Sequence, residues 1–106
     1  MISFDYNGKH YTLEYTRDSV KQMEAAGFDP SNIEARPALS LEQMWAGAFI
    51  EHHRSVSNTV VKALYDQMKN KTKLFEALKN MMAETYESLL PDEEDDQGNV
   101  EWTATP

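Results

Sequence analysis

Ile2-Ser3-Phe4-Asp5-Tyr6-Asn7-Gly8-Lys9-His10-Tyr11-Thr12-Leu13-Glu14-Tyr15 decides the fold of this 106-residue chain. Apolar and polar residues alternate on both sides of Asn7-Gly8, which is the period of a half-buried strand. A two-residue hairpin loop needs positive φ at both central positions, and Asn followed by Gly tolerates it best. Such a loop pairs Tyr6 with Lys9, Phe4 with Tyr11 and Ile2 with Leu13. One face then gathers Ile2, Phe4, Tyr6, Tyr11, Leu13 and Tyr15, and the other Ser3, Asp5, His10, Thr12 and Glu14. Turn chemistry and alternation specify the same register. Two strands alone are only marginally stable, so the apolar face must lie on helices, on another sheet or on a partner.

The sequence after the hairpin reads as helices with marked ends. Thr16 caps a helix starting at Arg17 whose buried side is Val20 and Met23. Gly27 stands where a left-handed terminating residue belongs, with Met23 and Phe28 spaced for the accompanying contact. Asp29-Pro30-Ser31-Asn32 is a turn and Arg36-Pro37 a loop. Ser40 with Gln43 predicts a capping box, and Leu39 with Met44 its hydrophobic staple. The helix that follows places Leu41, Met44, Trp45, Ala48 and Phe49 on one side. Gly47 within it costs about 1 kcal/mol against alanine, a cost that a close neighbouring element would explain. Ser57 caps a third helix carrying Val61, Leu64, Tyr65 and Met68. Thr72 is the expected cap of a fourth, running to Leu90, with a broad stripe of Leu74, Phe75, Leu78, Met81, Met82, Tyr86 and Leu89. The stripe is wider than one neighbour needs, so this helix is either central or in contact with another chain. The expected class is α+β: an N-terminal hairpin, about four helices and an acidic tail.

Charge divides the chain in two. The net charge is −8, and residues 91–106 contribute Asp92, Glu93, Glu94, Asp95, Asp96 and Glu101 without one base. The first 90 residues hold the other 12 acids and 10 bases, close to neutrality. Residues 1–90 therefore read as one compact domain and 91–106 as a tail, mostly disordered because its first part cannot bury apolar surface. Val100-Glu101-Trp102-Thr103-Ala104-Thr105 alternates again and predicts a strand over 100–105. That segment docks on the hairpin edge, exchanges between subunits, adds to a partner's sheet or stays disordered.

Several chemistries are excluded on composition. There is no cysteine, hence no disulfide, thiolate metal site or cysteine nucleophile. The acidity disfavours nucleic acid. The longest apolar run, Trp45 to Ile50, is far too short to span a bilayer, and the N-terminus has no basic-then-apolar leader pattern. Glu51-His52-His53 is the one histidine cluster. Neighbouring residues on a helix point about 100° apart, whereas a chelating helical pair needs a spacing of four. No nucleophile elbow, phosphate loop or EF-hand pattern is present. The expectation is a binding protein, not an enzyme, with no cofactor and no metal. Methionine adapts to irregular partners, and the residues expected to touch one are Leu78, Met81, Met82, Tyr86 and Leu89 on the broad stripe, together with Trp102.

Three ordered segments resemble a known family. They are Phe4 through Phe28, then Trp45-Ala46-Gly47-Ala48-Phe49 with His52-His53, then Gly98-Asn99-Val100-Glu101-Trp102. Together they are similar to the small tail assembly chaperones of siphophages and prophages of Gram-positive bacteria. The resemblance implies a non-virion factor in the host bacterial cytoplasm that binds the tape measure protein and keeps it soluble until the tail tube forms. It also implies a short form and a frameshifted longer form, contact with the tail tube protein as a further option, and no catalytic residues. Homo-oligomers are compatible with it. The competing classes are a structural virion component such as a head–tail connector, and an acidic inhibitor that mimics DNA.

Overall fold

A computed structural model describes residues 1–89, 103 and 104. The hairpin is formed by β1 (Ile2–Tyr6) and β2 (Lys9–Leu13), paired antiparallel in the expected register, Ile2 opposite Leu13 through Tyr6 opposite Lys9. Asn7 and Gly8 have φ of 51° and 77°, as the turn chemistry requires. Four helices follow: α1 (Arg17–Ala25), α2 (Pro37–Gly47), α3 (Asn58–Gln67) and α4 (Lys71–Leu89). The class is α+β.

The ends of α1 form as its sequence directs. The Thr16 hydroxyl accepts from the Ser19 backbone N–H at 3.1 Å, and the Ser19 hydroxyl accepts from the Thr16 N–H at 2.8 Å. Gly27 takes φ 107°, and the Phe28 N–H returns to the Met23 carbonyl at 3.0 Å. Ser57 caps α3 through the Val60 N–H. Two expected caps are corrected. Helix α2 begins at Pro37, whose fixed φ suits a first helical position, so Ser40 lies inside the first turn. Its hydroxyl donates to the Asn32 carbonyl at 3.2 Å, and Leu39, 49% exposed, staples nothing. Helix α4 begins at Lys71 rather than after Thr72, because Asn70 adopts φ 56° and reverses the chain there. The proposed strand over 100–105 and the tail from 91 fall outside the described residues, apart from Thr103 and Ala104, which belong to no regular element.

The core lies between the hairpin's apolar face and the helices. It joins Tyr11, Leu13 and Tyr15 to Val20, Met23, Met44, Trp45, Phe49, Leu64, Leu78 and Met82. Its polar atoms are answered: the Tyr15 hydroxyl donates to the Met44 carbonyl at 2.6 Å, and the Trp45 Nε1 donates to the Val61 carbonyl at 2.8 Å. Burial drives the Tyr15 pKa well above its usual value, so its hydroxyl stays a donor. Gly47 faces Met23 of α1, and a Cβ at Gly47 would overlap that side chain. The close approach inferred from Gly47 is therefore present, although Gly47 is the last residue of α2 rather than an interior one, and Ala48 and Phe49 lie in the turn beyond it.

The outer edge of β2 is stitched to the turn that follows α2. The Glu14 N–H donates to the Ala48 carbonyl at 3.1 Å, and the Thr12 N–H donates to His53 Nε2 at 3.0 Å. His52 Nε2 donates to the Glu14 carboxylate at 2.6 Å. Only a neutral His53 ring can accept from Thr12. Desolvation first, then the charges of Lys9 and His52, hold its pKa below the usual 6.5. The unfolded chain takes up this proton near pH 6.5 while the folded chain resists. The contribution is therefore complete above 6.5 and is lost as pH falls from there through the lowered folded value.

Two outcomes follow for measurement. Gly47→Val should lower the unfolding free energy by about 1–3 kcal/mol through overpacking. The same change should cost less in a Met23→Ala background, since the two positions touch; equal costs in urea melts would refute the contact. His53→Gln retains an acceptor for Thr12 without the titration. Its stability should vary less than the wild type's between about pH 7 and pH 5, and identical slopes would remove His53 from the linkage.

Candidate partner-binding groove

Helices α2 and α3 enclose an open groove of about 780 Å³ on the surface. Its floor is Trp45 and Val61, both buried, and its walls include Leu39, Leu41, Ala46 and Tyr65. The Tyr65 ring stands edge-on to Trp45 at 5.8 Å, and Trp45 is held in place by its bond to the Val61 carbonyl. Glu42, Gln43, Asn58, Lys62 and Asp66 form a polar rim. Lys62 and Glu42 approach to 3.9 Å across it, an exposed pair of small energetic weight. Two of the exposed large apolar residues lie on these helices: Leu39, 49% exposed, within the groove, and Val60, 41% exposed, on the first turn of α3. An apolar floor with a polar rim is the chemistry that receives one face of an amphipathic helix.

The stripe predicted to bind a partner behaves differently. Leu78 and Met82 are in the core, at 0% and 2% exposure, because α4 packs against both α1 and α2. They are corrected from contact residues to core residues. Met81 and Tyr86 are half-buried at its margin. The Tyr86 hydroxyl donates to Glu24 of α1 at 2.9 Å, and burial together with that carboxylate pushes its pKa up to about 12. Arg17 donates to the Ser88 carbonyl at 2.6 Å, which ties the far end of α4 to the start of α1. The Leu89 side chain and Trp102 lie outside the described residues. The broad stripe thus belongs to a helix with two neighbours, the first of the two readings its width allowed.

The groove was legible in one respect. Apolar residues occupy more than one side of α2, with Leu39, Leu41 and Ala46 beside the inward Met44 and Trp45. His53 bonds Thr12 of β2 and His52 bonds Glu14 just beyond it, and the two rings stand edge-on 6.4 Å apart. Among the described residues, no group of three histidine, aspartate and glutamate side chains is placed to hold a metal ion, and no helix is long and apolar enough to cross a membrane.

No curated protein and no solved structure matches this chain. A family model does, over residues 1–105, and it is described as a domain of unknown function, DUF5055. The match takes in the hairpin, all four helices and nearly the whole acidic tail. The chain therefore belongs to the DUF5055 family.

Proposed function

We propose that this protein is a tail assembly chaperone of a siphophage or prophage. In this reading it acts in the cytoplasm of a Gram-positive host, stays out of the mature virion and keeps the tape measure protein soluble until tube subunits polymerise around it. The tail tube protein is a second contact. The observation that carries the reading is the α2–α3 groove, an apolar surface of a size to take the side chains of a helix. A tape measure protein is long and helical, with apolar stretches that aggregate when bare. The ordered resemblance of Phe4–Phe28, Trp45–Phe49 with His52-His53, and Gly98–Trp102 supports the same reading. So does the charge division. A near-neutral body offers little repulsion to a partner, while the acidic residues after Pro91 keep a loaded complex charged and dispersed.

The test is a tagged pull-down from phage-producing cells, with mass spectrometry of the eluate and, in parallel, of purified virions. The expected result is a long helical tail protein in the eluate and none of this chain in virions. Its presence in virions would favour a structural component, and capture of a host nuclease an inhibitor. Two variants assign the surface. Leu39→Lys, at an exposed position, should change stability by no more than about 0.5 kcal/mol and reduce capture at least about fivefold. Met82→Asp buries a charge in the core and should abolish cooperative unfolding outright. Undiminished capture by Leu39→Lys would exclude the groove.

A further inference from the structure

The two edges of the hairpin are unlike. Glu14 and Thr12 direct their N–H groups away from β1, to Ala48 and His53, so the even-numbered residues of β2 face outward. Thr12 opposes Ser3 and His10 opposes Asp5. These are the pairs without mutual backbone bonds, so Ser3 and Asp5 direct their own N–H and C=O groups to the far side of β1. Among the described residues no backbone group answers them, and the only element β1 packs against extensively is β2. Ile2–Tyr6 has no lysine, no proline and no bulge, and Asp5 is its one charged residue. Its apolar side is also incompletely covered. Tyr11 and Leu13 of β2 are buried, whereas Ile2 and Phe4 are half-buried and Tyr6 is 39% exposed.

We propose that β1 is a self-pairing edge, and that two copies of this chain join β1 to β1 antiparallel about a two-fold axis through Phe4. This register sets Ser3 opposite Asp5 of the second copy, so the outward groups of both residues are answered in both copies. Phe4 faces Phe4, and Ile2 faces Tyr6, all on the apolar side, which supplies the half-exposed side chains with neighbours. Two registers neighbour this one: centring on Ser3 leaves Tyr6 with no residue opposite, and charge disfavours the other. A pairing centred on Asp5 sets two carboxylates face to face, whereas centring on Phe4 sets each carboxylate against a serine hydroxyl. The result is a four-stranded sheet with both apolar faces on one side and Ser3, Asp5, His10 and Thr12 on the other. The contact is short, at the low end of specific interfaces, so the dimer is a concentration-dependent one.

Sedimentation velocity on the full chain from about 1 µM to about 1 mM gives the dimer dissociation constant. Ser3→Pro removes an outward N–H that no described residue uses, at an edge position that admits proline. It should weaken the dimer at least about fivefold with the circular dichroism spectrum unchanged. Ser3→Lys and Ser3→Asp fix the register independently of whether the proline variant folds. Opposite Asp5 of the second copy, lysine should tighten the dimer by about two- to tenfold and aspartate weaken it by a similar factor. A wild-type chain that stays monomeric throughout overturns the proposal, as does an edge already filled by the chain's own C-terminal segment, which gives the same monomer. A dimer that Ser3→Pro does not weaken, or that lysine and aspartate shift in the same direction, overturns it equally.

Discussion

Trp45 is the residue on which the parts of this fold meet. Its ring stacks on Phe4 of the hairpin at 6.2 Å, stands edge-on to Phe49 at 5.1 Å and to Tyr65 of α3 at 5.8 Å, and its Nε1 binds the α3 backbone. A hairpin of two five-residue strands is at best marginally stable alone, and a helix of ten residues is marginal in water. Each exists here because the other is attached through α2. Truncating a buried tryptophan generally costs about 3–5 kcal/mol, much of what a domain of this size possesses. The rest of the architecture secures that arrangement. Tyr15 fixes the exit of the hairpin to the Met44 carbonyl, one residue before Trp45, and Gly47 admits α1 close behind.

The hairpin's register was legible because two independent constraints, the Asn7-Gly8 turn and the alternation around it, permit one solution. The ends of α1 and the start of α3 were legible for a similar reason: Thr16, Gly27 and Ser57 each perform a local act that needs no tertiary partner. Where a residue type is suited to two acts, the sequence did not decide. Ser40 is as able to bind a preceding carbonyl as to cap a helix, and Pro37 as able to open a helix as to interrupt one. The choice between them rests on Asn32, which a turn beginning at Asp29 brings within reach of Ser40.

The burial of Leu78 and Met82 has a different origin. Periodicity measures the width of an apolar face and says nothing of what covers it. On α4 a wide stripe meets α1 and α2, and Leu78 and Met82 are consumed by them. On α2 the helix is apolar on more than one side. Met44 and Trp45 face the core, and Leu39, Leu41 and Ala46 remain toward the groove. Coverage is a tertiary property. The nearest sequence-level sign of it is an apolar residue that lies off the main stripe of its helix, as Leu39 does.

The groove and the β1 edge are contiguous through one side chain. Trp45 forms the floor of the groove on one side and supports Phe4 of β1 on the other. A substitution at Trp45 therefore says nothing about either surface, because it removes the support of both along with the core. Leu39 and Ser3 are the positions that separate them. Each lies at the outer margin of its surface, touches none of the other and is exposed in the folded chain. Those two side chains are free to change without disturbing the aromatic contacts that hold the hairpin on α2, so the two proposed surfaces can be tested one at a time.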